Sequence, residues 1–320
     1  MSRPQESARA LPSLKQKLLT VFIWTSRKAL AVANEKLILA TFNFQEGGWS
    51  RHDRAYRNLP LLKEVVAQVP DLDILFLQEG FRYAEEGQRA LFEVERILAP
   101  VAPLRGFLTR SDRGLLHEVI FMRWPRLMPV RHYEPGPGIY HDQIGWLHAH
   151  LEGDLDRSLA LKSVHWPHWS GDARLDEALK LTRHAAPGSA AIIAGDFNSL
   201  WPGPQEFEPD WLARPPHKRL HKTMPPGARA DGELRSDRRA LTVLSEAGFV
   251  NAGSVDGDYT VTVNDAVDDG QGARIDHVLL SPWLAPSQVP GSYRVWVNEL
   301  GDRASDHRMV SVAVDLKVAR

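Results

Sequence analysis

A chain of 320 residues with a formal net charge of −1 and no cysteine is long enough for a large α/β or β-rich sandwich built as one principal domain. Near-neutral charge excludes a global basic field that would announce nucleic acid as partner. The lack of thiols excludes disulfides, thiolate metal sites and cysteine nucleophiles, so any metal must be held by oxygen and imidazole.

Residues 1–35 combine Arg3, Arg9, Lys15, Lys17, Arg27 and Lys28 with an apolar patch, Leu18-Leu-Thr-Val-Phe-Ile-Trp24. The patch is too short to span a bilayer, and Thr25-Ser-Arg-Lys28 puts charge where a signal peptide needs small residues. This predicts a basic amphipathic extension, no signal peptide, no stable membrane span and, as the favoured compartment, the cytoplasm. A domain over 36–320 follows. Leu37-Ile-Leu-Ala-Thr-Phe-Asn43 reads as a strand ending in Asn43, with a Gly-rich polar loop behind it. Ala55 to Val69 has helical spacing, and Ile74-Leu-Phe-Leu77 is a strand that runs into Gln78-Glu79. An unpaired carboxylate at the end of a buried strand is costly, which points to a metal-ligand role for Glu79. Residues 84–98 form a second helix, and Gly114 to Arg123 a strand with one internal acid, Glu118.

Gly145 to Leu151 is a strand on which His148 and His150 share a face without a nearby acid. Leu159 to His165 is a strand ending at His165 before Pro167, and Asp172 to Ala185 a helix closed by Pro187-Gly188. The apolar run Ala190 to Ala194 then stops in Gly-Asp196-Phe-Asn198. In an extended chain Asp196 and Asn198 share a face and can converge on one small group; a strand-ending Asx turn is the alternative. Residues 199–237, with seven prolines, predict a long irregular insertion. Its stretch from Arg214 to Arg229 holds Lys218, Arg219 and Lys222 and no acid, and follows Asn198 closely enough to offer cations to a polyanion, or to be a solvated loop. A helix over 237–247, strands at 260–263 and 293–297, Arg274-Ile-Asp-His277 opening a strand, and Asp306-His307 before a last strand complete the chain. Asp276 shares a face with Val278, which leaves His277 on the other as a structural residue. Ten tryptophans, several in expected loops (Trp49, Trp166, Trp169, Trp201, Trp211), either pack a large core or stack on a base or ring.

Five polar strand ends in this order, Asn43, Glu79, Asp196 with Asn198, Asp276 and Asp306-His307, resemble the endonuclease/exonuclease/phosphatase superfamily from about Lys36 to Leu316. The resemblance implies the deoxyribonuclease I-like fold, a four-layer α/β sandwich of two mixed sheets packed face to face and flanked by helices. It also implies site roles. Asn43, Glu79 and Asp306 would hold Mg²⁺ or Mn²⁺; Asp196 would orient or deprotonate a water; Asn198 would fix a phosphate oxygen or a second ion. His307, polarised by Asp276, would bond the phosphate, and His165, partnered by Glu118, would serve the leaving group. His165 stands where abasic-site endonucleases usually have tyrosine, and Ala273 where they have a bulky residue, so the likeness leans toward deoxyribonuclease I-like and sphingomyelinase-like members. The expectation is a metal-dependent phosphodiesterase acting on a phosphodiester substrate, nucleic acid first, with no protein partner. A sphingomyelinase-like or sugar/inositol-phosphate hydrolase, or a silent binding module of the same fold, are the alternatives.

Overall fold

The computed structural model describes residues 36–141, 144–152, 154–229, 232–267, 270 and 272–318, with the side chains of 155–157 excepted. The extension expected over residues 1–35 lies outside them, as do Asp268 and Asp269. The strands are β1 (Lys36–Asn43), β2 (Trp49–Ser50), β3 (Ala55–Tyr56), β4 (Ile74–Gln78), β5 (Leu104–Thr109), β6 (Glu118–Arg123), β7 (Leu127–Tyr133), β8 (Gly145–Leu151), β9 (Asp154–His165), β10 (Ala190–Asp196), β11 (Val250–Asn251), β12 (Asp276–Leu280), β13 (Arg294–Val295) and β14 (Val310–Asp315). The longer helices are α1 (Leu59–Val66), α2 (Arg89–Leu98), α3 (Gly171–Leu181) and α4 (Arg239–Glu246).

Two six-stranded sheets result, ordered β13-β14-β1-β4-β6-β5 and β11-β12-β10-β9-β8-β7. Each contains one parallel pair, β1/β4 and β9/β10, among antiparallel neighbours. Strand alternation sorts side chains into layers. Leu37, Leu39, Ile74, Phe76 and Ile120 of the first sheet meet Leu147, Leu161, Ile192, Ala194 and Val278 of the second in one buried cluster. The opposite faces are covered by helices: Phe42, Leu75 and Leu77 pack with Leu62 and Val66 of α1 and Leu91 and Val94 of α2, while Val164, Ile193 and Leu279 pack with Ala178 of α3 and Leu241 and Leu244 of α4. This is the four-layer α/β sandwich.

The topology gathers the polar ends at one rim. Parallel pairs finish on the same side, so Asn43 and Glu79 end together, and Asp196 stands level with His165 in the β9/β10 register. Antiparallel β12 starts where β10 stops, pairing Asp276 with Asp196, and β14 begins just after Asp306-His307 on that side. By alternation Asn43, Gln78, Glu118, His165, Asp196 and Asp276 continue the face that lies between the sheets.

Several expected elements differ. Residues 260–263 make no strand; a single bridge from Val263 to His307 replaces it, because Thr262 is used as a peg whose Oγ1 accepts the Ile275 and Asp276 N–H groups at 3.1 Å each. The strand expected over 293–297 is two residues long, and the helix expected from residue 84 begins at Arg89 after a turn with Glu86 and Gln88 at positive φ. Strands β5 and β7 carried no clear period-2 signal. Among the described residues the insertion shows single turns at Trp211–Ala213, Pro216–Arg219 and Pro226–Ala228 and an isolated bridge between Thr223 and Ser236.

Gly195 makes the rim possible. Its φ is +149° and a Cβ there would lie 1.9 Å from the Val164 carbonyl oxygen, so β9 and β10 could not pair up to Asp196 with any side chain at this position. Gly195→Ala should destabilise the protein by at least about 3 kcal/mol, read as a shifted urea midpoint at unchanged m-value; a wild-type midpoint would mean the neighbouring strand relaxes.

Candidate active site

Asp196 is the centre of the rim and is 1 % exposed. Its Oδ1 accepts the Asn198 N–H at 2.8 Å, and its Oδ2 accepts from Asn43 Nδ2 and Asn198 Nδ2, each at 3.2 Å. Two imidazoles face the same oxygen, His307 Nε2 and His165 Nε2, both at 3.7 Å. Burial alone would raise this carboxyl; the two rings, the Asn198 N–H and Lys222 outweigh it and hold Asp196 below the usual carboxylate range. Asp196 and Asn198 thus meet through the Asx turn, the alternative reading of this stretch, and not side by side along an extended chain. Asn198 has φ 48°, and its amide also donates to the Trp166 carbonyl at 3.0 Å.

His307 is clamped by acid on both nitrogens. Nδ1 lies 2.9 and 3.1 Å from the two oxygens of buried Asp276; since carboxylate oxygens only accept, that nitrogen carries a proton. Burial disfavours the charged ring, yet Asp276, Asp196 and Asp306 together raise it to about 10. Burial pushes Asp276 up to about 6. On the other face of β12, His277 Nδ1 accepts from Asn251 Nδ2 at 2.9 Å and its Nε2 donates to the Ser199 carbonyl at 3.0 Å, and burial drives it down to about 3. It is a neutral structural residue.

The second half of the rim is oxygen-rich. Glu79 would point away from the inter-sheet face if β4 continued, but its φ of 62° turns the carboxylate inward. Its Oε1 accepts from Asn43 Nδ2 at 3.1 Å and lies 3.7 Å from His165 Nε2, while Oε2 accepts the Glu46 N–H at 2.8 Å. Asp306 Oδ2 accepts from Gln45 Nε2 at 3.0 Å, and burial, then Glu79 among its neighbours, raises its carboxyl. With its NH₂ committed to two carboxylates, Asn43 leaves Oδ1 buried and without a partner, an unusual cost for a native structure. An orphaned carbonyl oxygen beside crowded carboxylates is the donor set a hard divalent cation requires, so the residues present fit Mg²⁺ or Mn²⁺. A second trio, Asp196, Asp276 and His307, brings ligand atoms within 4.8 Å of one another. There the imidazole lies between acids on both nitrogens, and a ring protonated on both has no lone pair for a metal.

Glu118 lies one layer below. Its Oε2 accepts from Ser163 Oγ at 2.5 Å; Ser163 accepts from Gln78 Nε2 at 2.9 Å, and Gln78 Oε1 accepts from Thr41 Oγ1 at 3.2 Å. This seam joins the two sheets under the site. Gln78 and Ser163 were not among the expected site residues, although both lie on the inward-facing period, Gln78 level with Asn43 and Ser163 two residues before His165. Of the three insertion cations, Lys222 reaches the site and donates to Asn198 Oδ1 at 2.8 Å. It is placed by Arg174, whose Nη2 donates to the His221 carbonyl at 3.0 Å. Arg219 instead donates to the Trp211 and Arg214 carbonyls at 3.0 and 3.1 Å, and Lys218 is exposed. A buried pair, Arg274 with Glu206, ties the start of the insertion to the approach of β12.

The chain belongs to the Endonuclease/Exonuclease/phosphatase family, whose sequence profile matches residues 40–307. Solved structures of the same fold include an AP endonuclease from Archaeoglobus fulgidus (19 % identity, 87 % of this chain and 99 % of that one, TM-score 0.55). Also similar are a mannosyl-6-phosphatase from Bacteroides thetaiotaomicron (17 %, 86 % and 98 %, 0.54) and a 3′ phosphatase from Neisseria bound to product DNA hairpin (17 %, 87 % and 99 %, 0.57). No curated protein matches the chain. The family is one of phosphoester hydrolases. Among the described residues no helix is long and apolar enough to cross a membrane.

His307 titration tests the clamp. Its folded pKa is raised above the unfolded value, so the stability it contributes is fully present below about pH 6.5 and is lost as pH rises through about 10. In chelator, the NMR-detected His307 ring should stay protonated past pH 8 and titrate lower in Asp276→Asn; titration near 6.5 in both proteins would contradict the clamp.

Proposed function

We propose that residues 36–320 form a metal-dependent phosphodiesterase domain, to which 1–35 add a basic extension, with nucleic acid as the leading substrate class. The observation that carries this is the Asp196 carboxylate, kept ionised inside the protein between two imidazoles and two amides and facing an oxygen-rich half site. Phosphoester hydrolysis needs a deprotonated water in line with the leaving oxygen, and positive charge where the phosphoryl group gathers negative charge. Asp196, low in pKa and fixed by Asn43 and Asn198, accepts the proton of the attacking water or holds that water for attack. His307, protonated and steadied by Asp276, donates to a phosphoryl oxygen. His165, on the neighbouring strand, faces the leaving group and supplies its proton. Lys222, held by Asn198 Oδ1, offers its ammonium to a second phosphoryl oxygen, since the Asn198 amide N–H groups go to Asp196 and the Trp166 carbonyl.

Glu79, Asp306 and the free Oδ1 of Asn43 would hold Mg²⁺ or Mn²⁺, which when bound polarises the phosphoryl group and offsets local negative charge. The use of Arg219 on backbone carbonyls favours a second reading with a small phosphoester substrate, since it removes one cation from any polyanion-binding surface. Chelation with EDTA should abolish turnover, and Mg²⁺ or Mn²⁺ should restore it. His307→Ala and His165→Ala should each cost roughly 10²–10⁴ in rate. Parallel assays on single-stranded DNA, duplex DNA, RNA, sphingomyelin and a chromogenic diester separate the substrate classes; full turnover in chelator, or an unimpaired His307→Ala protein, would overturn the assignment.

A further inference from the structure

Beside the site lies a cavity of about 320 Å³ whose wall includes Trp49, Arg54, Tyr56, Arg82 and Arg89. It is built from the chain segments that hold Glu79. The loop whose Glu46 N–H binds the Glu79 carboxylate leads in three residues to Trp49, and Gly80-Phe81-Arg82 leads from Glu79 to the opposite wall. Three residues span at most about 11 Å, so the two walls lie within that reach of the Glu46 and Glu79 backbones, and the Glu79 and Asp196 carboxylates share the Asn43 amide. The walls are fixed against each other: Tyr56 Oη donates to the Phe81 carbonyl at 2.9 Å, and Trp49 meets the Tyr56 ring edge-on at 4.9 Å.

The three arginines are not equivalent. Arg82 pairs with Glu85 at 2.7 Å and Arg89 with Glu86 at 2.9 Å. Among the described residues Arg54 makes no ion pair, and it stands in a tight turn with φ 52°, a conformation costly for a side chain of its size and one that the fold retains. An uncommitted guanidinium lining the same cavity as aromatic rings is the chemistry that binds a single-stranded nucleotide, phosphate to cation and base to ring.

We propose that this cavity holds the nucleotide flanking the scissile phosphate of a single-stranded nucleic acid, Arg54 bonding its phosphate and the Trp49 and Tyr56 wall contacting its base. The proposal rests on the phosphodiesterase reading of the adjoining site, and names the part of its substrate that the insertion cations do not reach.

Steady-state kinetics on three substrates tests it: a DNA trinucleotide, the same trinucleotide with its flanking base removed, and bis(4-nitrophenyl) phosphate. Arg54→Ala should raise KM for the trinucleotide by about tenfold, the size of one charge-assisted contact, with kcat and small-diester hydrolysis unchanged. Trp49→Phe, which keeps a ring in the loop, should raise KM less than Trp49→Ala, and neither change should matter for the substrate lacking the base. Unchanged trinucleotide KM in Arg54→Ala, or an equal loss on the small diester, would overturn the proposal. Hydrolysis of the small diester with none of the trinucleotide would overturn it too, leaving the phosphodiesterase reading intact. If the wild type turned over no substrate, that reading would fall; equal binding of a labelled trinucleotide by Asp196→Asn proteins with and without Arg54→Ala would then overturn the subsite itself.

Discussion

The rim is organised around one expensive object, an ionised carboxylate buried at the end of β10. An isolated charge in such surroundings neutralises unless its partners are already in place, and Asp196 finds them on every side: the Asn198 N–H, two side-chain amides, and the rings of His165 and His307. Those partners come from β1, β9, the turn after β10 and the loop before β14. They meet only because each sheet has one central parallel pair whose strands end at the same side, with antiparallel strands starting there. Sandwich topology and site chemistry are therefore one constraint, and Gly195 is where backbone packing lets the strands close far enough to satisfy it.

Around Asp196 the charges divide into two halves. On one side Asp276 and His307 form a buried pair that keeps an imidazolium at the rim. On the other, Glu79, Asp306 and the unpartnered Oδ1 of Asn43 crowd oxygen atoms together with little local cation to balance them. The first half suits hydrogen bonding to a phosphoryl group and the second suits a hard cation. Strained backbone marks the junctions: Glu46, Glu79 and Asn198 all take positive φ without being glycine, each turning a polar group toward the centre, and such strain persists only where surrounding structure holds it.

The strands bounded by Asn43, His165, Asp196 and Asp276 were legible in the sequence as apolar runs that meet a polar residue, and period-2 alternation places that residue on the inward face; Glu79 was legible only as the acid just after such a run. The sandwich was implied by the family resemblance that their order carries. Less legible was what depends on single φ values or on distant partners. No alternation rule could aim Glu79 inward, since it needs a left-handed residue to leave the face that Leu77 shares. Lys222 could not be separated from Lys218 and Arg219 by composition; the difference is made by Arg174, which fixes the His221 carbonyl from a helix 47 residues away in sequence. Glu118 was legible as an inward acid but not as part of a Thr41-Gln78-Ser163 seam, whose members are spread over four strands. The short strands failed for the opposite reason: residues 260–263 have strand-forming side chains, yet Thr262 Oγ1 is spent on the backbone of the approach to β12.

The central claim is the division of labour between Glu79 and Asp196. Calorimetric titration of Mn²⁺ into wild-type, Glu79→Gln and Asp196→Asn proteins tests it without reference to any substrate. The account predicts that Glu79→Gln loses most of the affinity for the ion while Asp196→Asn keeps it; retained binding in Glu79→Gln with loss in Asp196→Asn would place the metal at the Asp196, Asp276 and His307 trio and contradict it.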